Sequence, residues 1–378
     1  MKNTGIYIHI PFCVRKCAYC DFFSFSADEE LKRHYADAVI KELEAWADHF
    51  QEDEIDTVYI GGGTPTVMDP ADLVRILSAV RNLFRLKDDA EITMEMNPGT
   101  VTRETAFLLR PLVNRVSLGI QSFHDSELKA LGRIHSAAEA VEAVGILRRA
   151  GFENLSFDLM YGIPGQTVPG WKETLEKAVA LSPRHISAYS LIIEEGTPFE
   201  KMYRDGKLTF LPSEDEEREM TDLAEEYLSI YGFSQYEISN YALPGYESRH
   251  NTRYWKRSGY LGIGAGASSL IGHTRWRNTR DIGHYLTNSS SPELLKREEE
   301  RLDLKAEMEE FMFLGLRMKE GVTEQDFREM FGRNLTDVYG EQIRKQLDGG
   351  FLRTDGCGRF AFTGRGMEVS NVLLAEYL

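Results

Sequence analysis

The first 200 residues alternate six times between short β-branched apolar runs and longer amphipathic runs. GIYIHI reads as a strand that ends at Pro11, and residues 27–50 follow with the 3.6-residue period of a helix. The pairing recurs as IDTVYIGG with ADLVRILSAVRNLF, EITMEMNPG with TRETAFLLRPL, and RVSLGIQSF with DSELKALG and SAAEAVEAVGILRRAG. NLSFDLMYGIPG with GWKETLEKAVAL comes next, and HISAYSLII is the sixth strand. Such alternation predicts an α/β fold with a parallel sheet and helices outside it. Six units are fewer than a closed eight-stranded barrel requires, so an open, partial (β/α)6 barrel is expected over residues 1–200. Chemistry in such sheets sits at the C-terminal strand ends, where GGGTPT, EMNPG, GIQSF and DLMYGIPG fall here.

The pattern then changes. Residues 201–292 read as a connecting α+β region: an acidic helix, an edge-like strand FSQYEISNYA, and the aromatic and glycine-rich RHNTRYWKRSGYLGIGAGASSLIG. GIGAGA has no strand–loop–helix setting with an acidic residue downstream, so a dinucleotide loop is not expected. Close approach to a flat ligand or another domain suits it better. Residues 293–378 read as a C-terminal helical, winged-helix-like domain. It has three helices, the first running from ELLKREEER into LDLKAEMEEFMFLGLRM, then a hairpin with DGCG at its turn. The KREEER stretch is expected to be a solvated helix face.

A net charge of −16 argues against nucleic-acid binding and disfavours anionic membrane surfaces. No leader pattern or apolar run of about 18 residues is present. Four cysteines in 378 residues do not make a disulfide scaffold, so a cytoplasmic protein with reduced thiols is expected. It would be a monomer or homodimer with no transmembrane segment, and at most peripheral contact with a membrane.

Three of the four cysteines, Cys13, Cys17 and Cys20, lie in IPFCVRKCAYCDFFSF, spaced C-x3-C-x2-C. Zinc sites generally use paired C-x2-C or C-x2-H elements, and no second pair follows. Cys357 lies far away on the hairpin turn. Three thiolates suit an iron–sulfur cluster better, and leave one iron of a [4Fe–4S] cube open to a further ligand.

This spacing at the end of a first strand resembles the radical S-adenosylmethionine (radical SAM) enzymes. YIHIPFC, GGGTPT, EMNPGT, RVSLGIQSF, LGRIHS, DLMYGIPGQT and HNTRYW, in this order, are similar to the oxygen-independent coproporphyrinogen III oxidase-like branch. The resemblance implies that S-adenosylmethionine chelates the open iron, and that reduction of the cluster can yield a 5′-deoxyadenosyl radical. It implies cofactor contacts from Gly62, Gly63, Thr64, Glu95, Gln121, Arg133 and Asp158, with Tyr7 and Tyr19 flanking the cluster loop. Arg133 would pair with the methionine carboxylate and Asp158 would accept from ribose hydroxyls. His135, beside Arg133, reads as a solvent-facing helix residue.

True oxidases of the branch carry another cysteine two positions after the third, where this chain has Phe22, and a longer N-terminal arm. Both departures point to the branch's haem chaperones, which bind haem and pass it to acceptor haemoproteins. A radical enzyme acting on a tetrapyrrole is the alternative, and a non-haem interaction protein with a structural cluster is a second. His250, Asn251, Tyr254 and Trp255 are similar to the chaperones' HNxxYW haem-binding motif. A core-packing role for the same residues competes with it. Because His250 lies outside the βα repeats, its site is expected to be separate from the cysteines.

Overall fold

The structure, a computed structural model, describes residues 3–378. Strands β1 (Asn3–Ile10), β2 (Glu54–Gly62), β3 (Leu86–Met96), β4 (Arg115–Gln121), β5 (Asn154–Tyr161) and β6 (His185–Ser190) pair in parallel, each with the next. These are the six strands expected from sequence. The sheet continues at both margins. Beyond β6 lie the short antiparallel β7 (Ser234–Gln235) and β8 (Asn240–Ala242), with β8 inside β7. The predicted edge strand is therefore broken in two. Beyond β1 lie β9 (Tyr260–Ile263), parallel to it, then antiparallel β10 (Ser268–Ile271), β11 (Thr274–Asn278) and β12 (Lys296–Arg301). The outcome is one 12-stranded sheet with β1 and β6 separated by the four strands between them, an open partial barrel.

The helices start where polar side chains cap them. Asp28 accepts from the amide of Leu31 ahead of the helix Glu29–Ala47, and Ser136 and Ser213 form reciprocal capping boxes with Glu139 and Glu216. Their apolar faces cover the sheet through a core that includes Ile6, Ile8, Val58, Ile60, Met94, Leu118 and Phe157. GIGAGA packs against protein. A Cβ on Gly264, whose φ is +102°, would sit 2.5 Å from the His9 carbonyl oxygen and 2.7 Å from the Tyr35 hydroxyl.

KREEER is an edge strand, which corrects the helix expected there. Its side chains are mostly exposed, and opposite charges lie across the strand pair: Arg275 reaches Glu300 at 2.7 Å, Arg277 pairs with Glu298, and Lys296 sits over the Trp276 ring. A charged edge also resists pairing with another chain. The helix begins only at Leu304, capped by Asp303, whose carboxylate accepts from the Ala306 amide at 2.8 Å.

The C-terminal unit has a second core around Met312, Phe327, Leu335 and Leu374. Helices Leu304–Gly315, Glu324–Phe331 and Leu335–Asp348 pack on a small antiparallel sheet. Its strands are β13 (Val322–Thr323), β14 (Leu352–Thr354) and β15 (Arg359–Phe362), with β15 in the middle. The hairpin of β14 and β15 follows the helices, as expected from sequence. Among the described residues, no helix is long and apolar enough to cross a membrane.

One buried carboxylate joins the first helix to the β9–β11 extension. Glu42 accepts from the Gly264 amide (2.8 Å), the Asn278 amide (2.6 Å) and the Tyr285 hydroxyl (2.7 Å). Glu42→Ala should lower stability by about 3 kcal/mol, because two buried N–H donors lose their acceptor. Urea unfolding of the apoprotein checks this: the midpoint should fall with the slope unchanged.

Candidate functional site

Strand alternation aims one side chain in two at the inside of the barrel. At the C-terminal strand ends these side chains border a cavity of 580 Å³. Tyr7 comes from β1, Tyr59 from β2, Glu95 from β3, Gln121 from β4, Asp158 from β5 and Tyr189 from β6. The cluster loop closes one side, and Cys13, Cys17, Tyr19 and Cys20 all line the cavity. Among the described residues, no three His, Cys, Asp or Glu side chains are gathered as one metal ion would need. Three thiols on one cavity wall are the donor type that an iron–sulfur cluster would take. Cys357 is exposed on the hairpin turn of the C-terminal unit.

The glycine triplet is dictated by contacts inside the protein. A Cβ on Gly61 would lie 2.7 Å from the Glu95 carboxyl, one on Gly62 (φ +108°) 2.3 Å from the His9 ring, and one on Gly63 2.6 Å from the Phe12 carbonyl oxygen. The Gly63 amide donates to the Ile10 carbonyl at 2.8 Å and the Thr64 amide to that of Phe12 at 2.7 Å. The Thr64 hydroxyl lies 3.7 Å from Cys13 Sγ. The triplet thus clamps the start of the cluster loop to the end of β2.

Glu95 accepts from the Tyr59 hydroxyl (2.7 Å) and the Gly62 amide (2.9 Å). Burial pushes its pKa up to about 7; the nearby Asp158 adds to the rise, and its two hydrogen bonds and the Arg115 charge oppose it. Asp158 accepts from Ser117 Oγ at 3.0 and 3.1 Å, and burial raises its pKa as well. Arg133 donates from Nη1 to Cys17 Sγ at 3.6 Å and from Nη2 to the Gly119 carbonyl at 2.5 Å. Two polar atoms here are buried without a partner: Gln121 Oε1 and Arg133 Nε. Gln121 also holds a positive φ of 67°, a strain that structures keep where a side chain must be aimed. An unpaired acceptor and an unpaired donor beside three thiols fit a bound polar cofactor.

His135 is buried, not solvent-facing. Its Nε2 donates to the Ile120 carbonyl at 3.1 Å, tying the turn after Arg133 to β4. Burial, reinforced by Arg133, pulls its pKa down to about 4, so it is neutral.

HNTRYW forms the helix Arg249–Trp255, and this helix is a wall of the same cavity. His250, Asn251 and Tyr254 line the cavity together with the cysteines, which corrects the expectation of separate sites. Trp255 is half-buried and is not among the lining residues. Glu91 on β3 accepts from the amides of Arg249 (3.1 Å) and His250 (3.0 Å), placing a carboxylate at the helix N-terminus. Arg253 pairs with Asp56 and donates from Nε to Thr57 Oγ1 at 3.1 Å. Thr57 Oγ1 also shares a hydrogen bond with His250 Nδ1, 2.9 Å away. His250 Nε2 shares a hydrogen bond with the Tyr254 hydroxyl at 2.9 Å. Both ring nitrogens are committed, and burial, with Arg253 and Arg115, pulls the His250 pKa down to about 3.

Sequence reasoning missed Tyr59, Thr57 and Arg115. Tyr59 and Thr57 stand at period 2 with Gly61 on β2, a signal that was available. Arg115 gave none: a charged residue at a strand start reads as solvated, yet it is 1% exposed in the barrel, with Nε unpartnered.

Glu95 has a pH signature in the apoprotein. Its folded pKa lies above the ordinary 4.5, so its contribution to stability is full below about 4.5 and is lost as pH rises through about 7. Glu95→Gln should remove this part of the decline. Urea unfolding at a series of pH values should show wild type losing stability relative to the variant across that window.

Residues 7–178 match the radical SAM superfamily and residues 302–369 the HemN C-terminal domain. The chain is 38% identical over its whole length to the heme chaperone HemW of Lactococcus lactis, covering 98% of that protein. It is 34% identical to the heme chaperone HemW of Escherichia coli, over 100% of this chain and 99% of that one. Coproporphyrinogen III oxidase (HemN) of Escherichia coli shares the fold, with a TM-score of 0.85 at 21% identity, over 100% of this chain and 90% of that one. With full-length relatives of this identity and the superfamily's barrel around its cysteine loop, the chain belongs to the HemW family of radical SAM proteins.

Proposed function

We propose that the protein is a haem chaperone: it binds haem beside a [4Fe–4S] cluster with S-adenosylmethionine and delivers the haem to acceptor haemoproteins. The observation that carries this is the single cavity onto which the three thiols and the HNTRYW helix both open. Cys13, Cys17 and Cys20 would hold the cluster, whose open iron and reducing electron supply the chemistry of carbon–sulfur cleavage in S-adenosylmethionine. Gly62, Gly63 and Thr64 set the cofactor's approach to the loop. Arg133 Nε and Gln121 Oε1, both unpartnered, offer one donor and one acceptor to its amino-acid end. Glu95 and Asp158 supply further acceptors, and Tyr7 and Tyr19 shield the cavity from water.

For haem, Asn251 and Tyr254 offer cavity-facing contacts, and His250 fixes the Tyr254 hydroxyl. His250 becomes an iron ligand only by giving up that bond. Trp255 supports the end of the same helix. Phe22, 62% exposed, stands where the oxidases of the branch carry a further cysteine, which favours chaperone over oxidase.

Anaerobic reconstitution with iron and sulfide, followed by haem titration and assay of coproporphyrinogen III on the same sample, tests the proposal. Cys357→Ser should retain about four irons per chain, whereas Cys17→Ser should lose the cluster. Haem should bind, and no protoporphyrinogen IX should form. Stoichiometric turnover, or an absence of haem binding, would refute the chaperone role.

A further inference from the structure

Two ligands have to share one end of this barrel. A 580 Å³ cavity is the size of a single small-ligand site, and the cluster and its cofactor claim it. A second recess of 280 Å³ adjoins it, sharing Tyr7, Asp21, Phe22 and Tyr254 as a common wall. Phe23 from the cluster loop and Tyr260 from β9 add aromatic wall, with His9, Gly266, Ser268 and Arg280 completing the lining. The Tyr254 and Tyr260 rings meet edge to face, 4.7 Å between centroids.

Arg280 stands at the edge of this recess, between β11 and the helix Ile282–Asn288. It is exposed, lies over the Phe23 ring at 5.8 Å, and makes no hydrogen bond or ion pair among the described residues. That is unusual in this region, where neighbouring arginines are engaged: Arg275 with Glu300 and Glu310, Arg277 with Glu298. His9, on the recess wall, is kept neutral by burial, and both its nitrogens are bonded, to Tyr7 and to the Phe23 carbonyl. Asp21, shared with the main cavity, is the carboxylate on the wall. A ligand anion is therefore drawn to Arg280, and its apolar body to the rings.

We propose that this recess is a binding subsite for the carboxylate-bearing edge of a tetrapyrrole, with Arg280 as the carboxylate partner and Phe22, Phe23, Tyr254 and Tyr260 against the ring. This builds on the haem-binding role proposed above and places one edge of the macrocycle in the adjoining recess, beside Tyr254, which borders both spaces. The recess has room for one edge of the ring. Phe22, exposed on the shared wall, covers the face that remains outside.

The test compares haem with haem dimethyl ester, whose carboxylates are blocked, on the full chain after cluster reconstitution. Wild type should bind haem about tenfold more tightly than the ester, the worth of one charge-assisted pair. Arg280→Ala should bind both about equally, at the wild-type ester affinity and with unchanged iron content. Arg280→Lys should restore part of the preference. If wild type binds haem but does not prefer it over the ester, or if Arg280→Ala keeps the preference, the subsite is refuted and the haem-binding role stands. If wild type binds neither, the haem-binding role fails and the subsite with it.

Discussion

The seating of the Gly61–Gly63 turn against the start of the cluster loop is the constraint on which the site depends. Three Cβ atoms are missing where the Glu95 carboxyl, the His9 ring and the Phe12 carbonyl press in. The backbone of Gly63 and Thr64 then bonds that of Ile10 and Phe12, so the chain leaves β1 in one direction only. A side chain at Gly63 would displace the start of the cysteine loop, one at Gly62 the His9 ring and one at Gly61 the Glu95 carboxyl. Close packing of this kind transmits displacement instead of absorbing it.

The helix Arg249–Trp255 plays the matching part on the opposite wall. Glu91 fixes its N-terminus, Arg253 crosses onto Asp56 and Thr57, and His250 stacks on Tyr59 at 5.2 Å. Just past its end, Arg257 reaches Glu310 at 2.8 Å and Glu307 at 3.5 Å in the C-terminal unit. That arginine side chain is 5% exposed, so the pairing is well shielded from water. One short helix therefore touches the barrel interior, the cavity and the C-terminal unit, and Tyr254 sits on it where the two recesses meet.

Much of this was legible in the sequence because it is local. Period-2 and period-3.6 runs separated by glycine and proline identified the six consecutive parallel strands β1 to β6, though not the parallel β9, and the C-x3-C-x2-C spacing picked out the cysteine loop. The charged stretch KREEER misled because its side chains are charged and mostly exposed, so no apolar period separates strand from helix. Its partner across the edge, β11, made it a strand. FSQYEISNYA showed alternation but not the break within it.

By itself the sequence determined the βα repeat and the position of the cysteine loop after β1, because strand ends and glycine turns are fixed by near neighbours. Tertiary structure alone decided that His250, 230 positions beyond Cys20, opens on the same cavity. It also decided that Arg115 and His135 are buried, and that Arg280 lies over the Phe23 ring with no hydrogen bond or ion pair among the described residues. Those facts depend on which surfaces the 12-stranded sheet brings together, and no pattern of neighbouring residues encodes that.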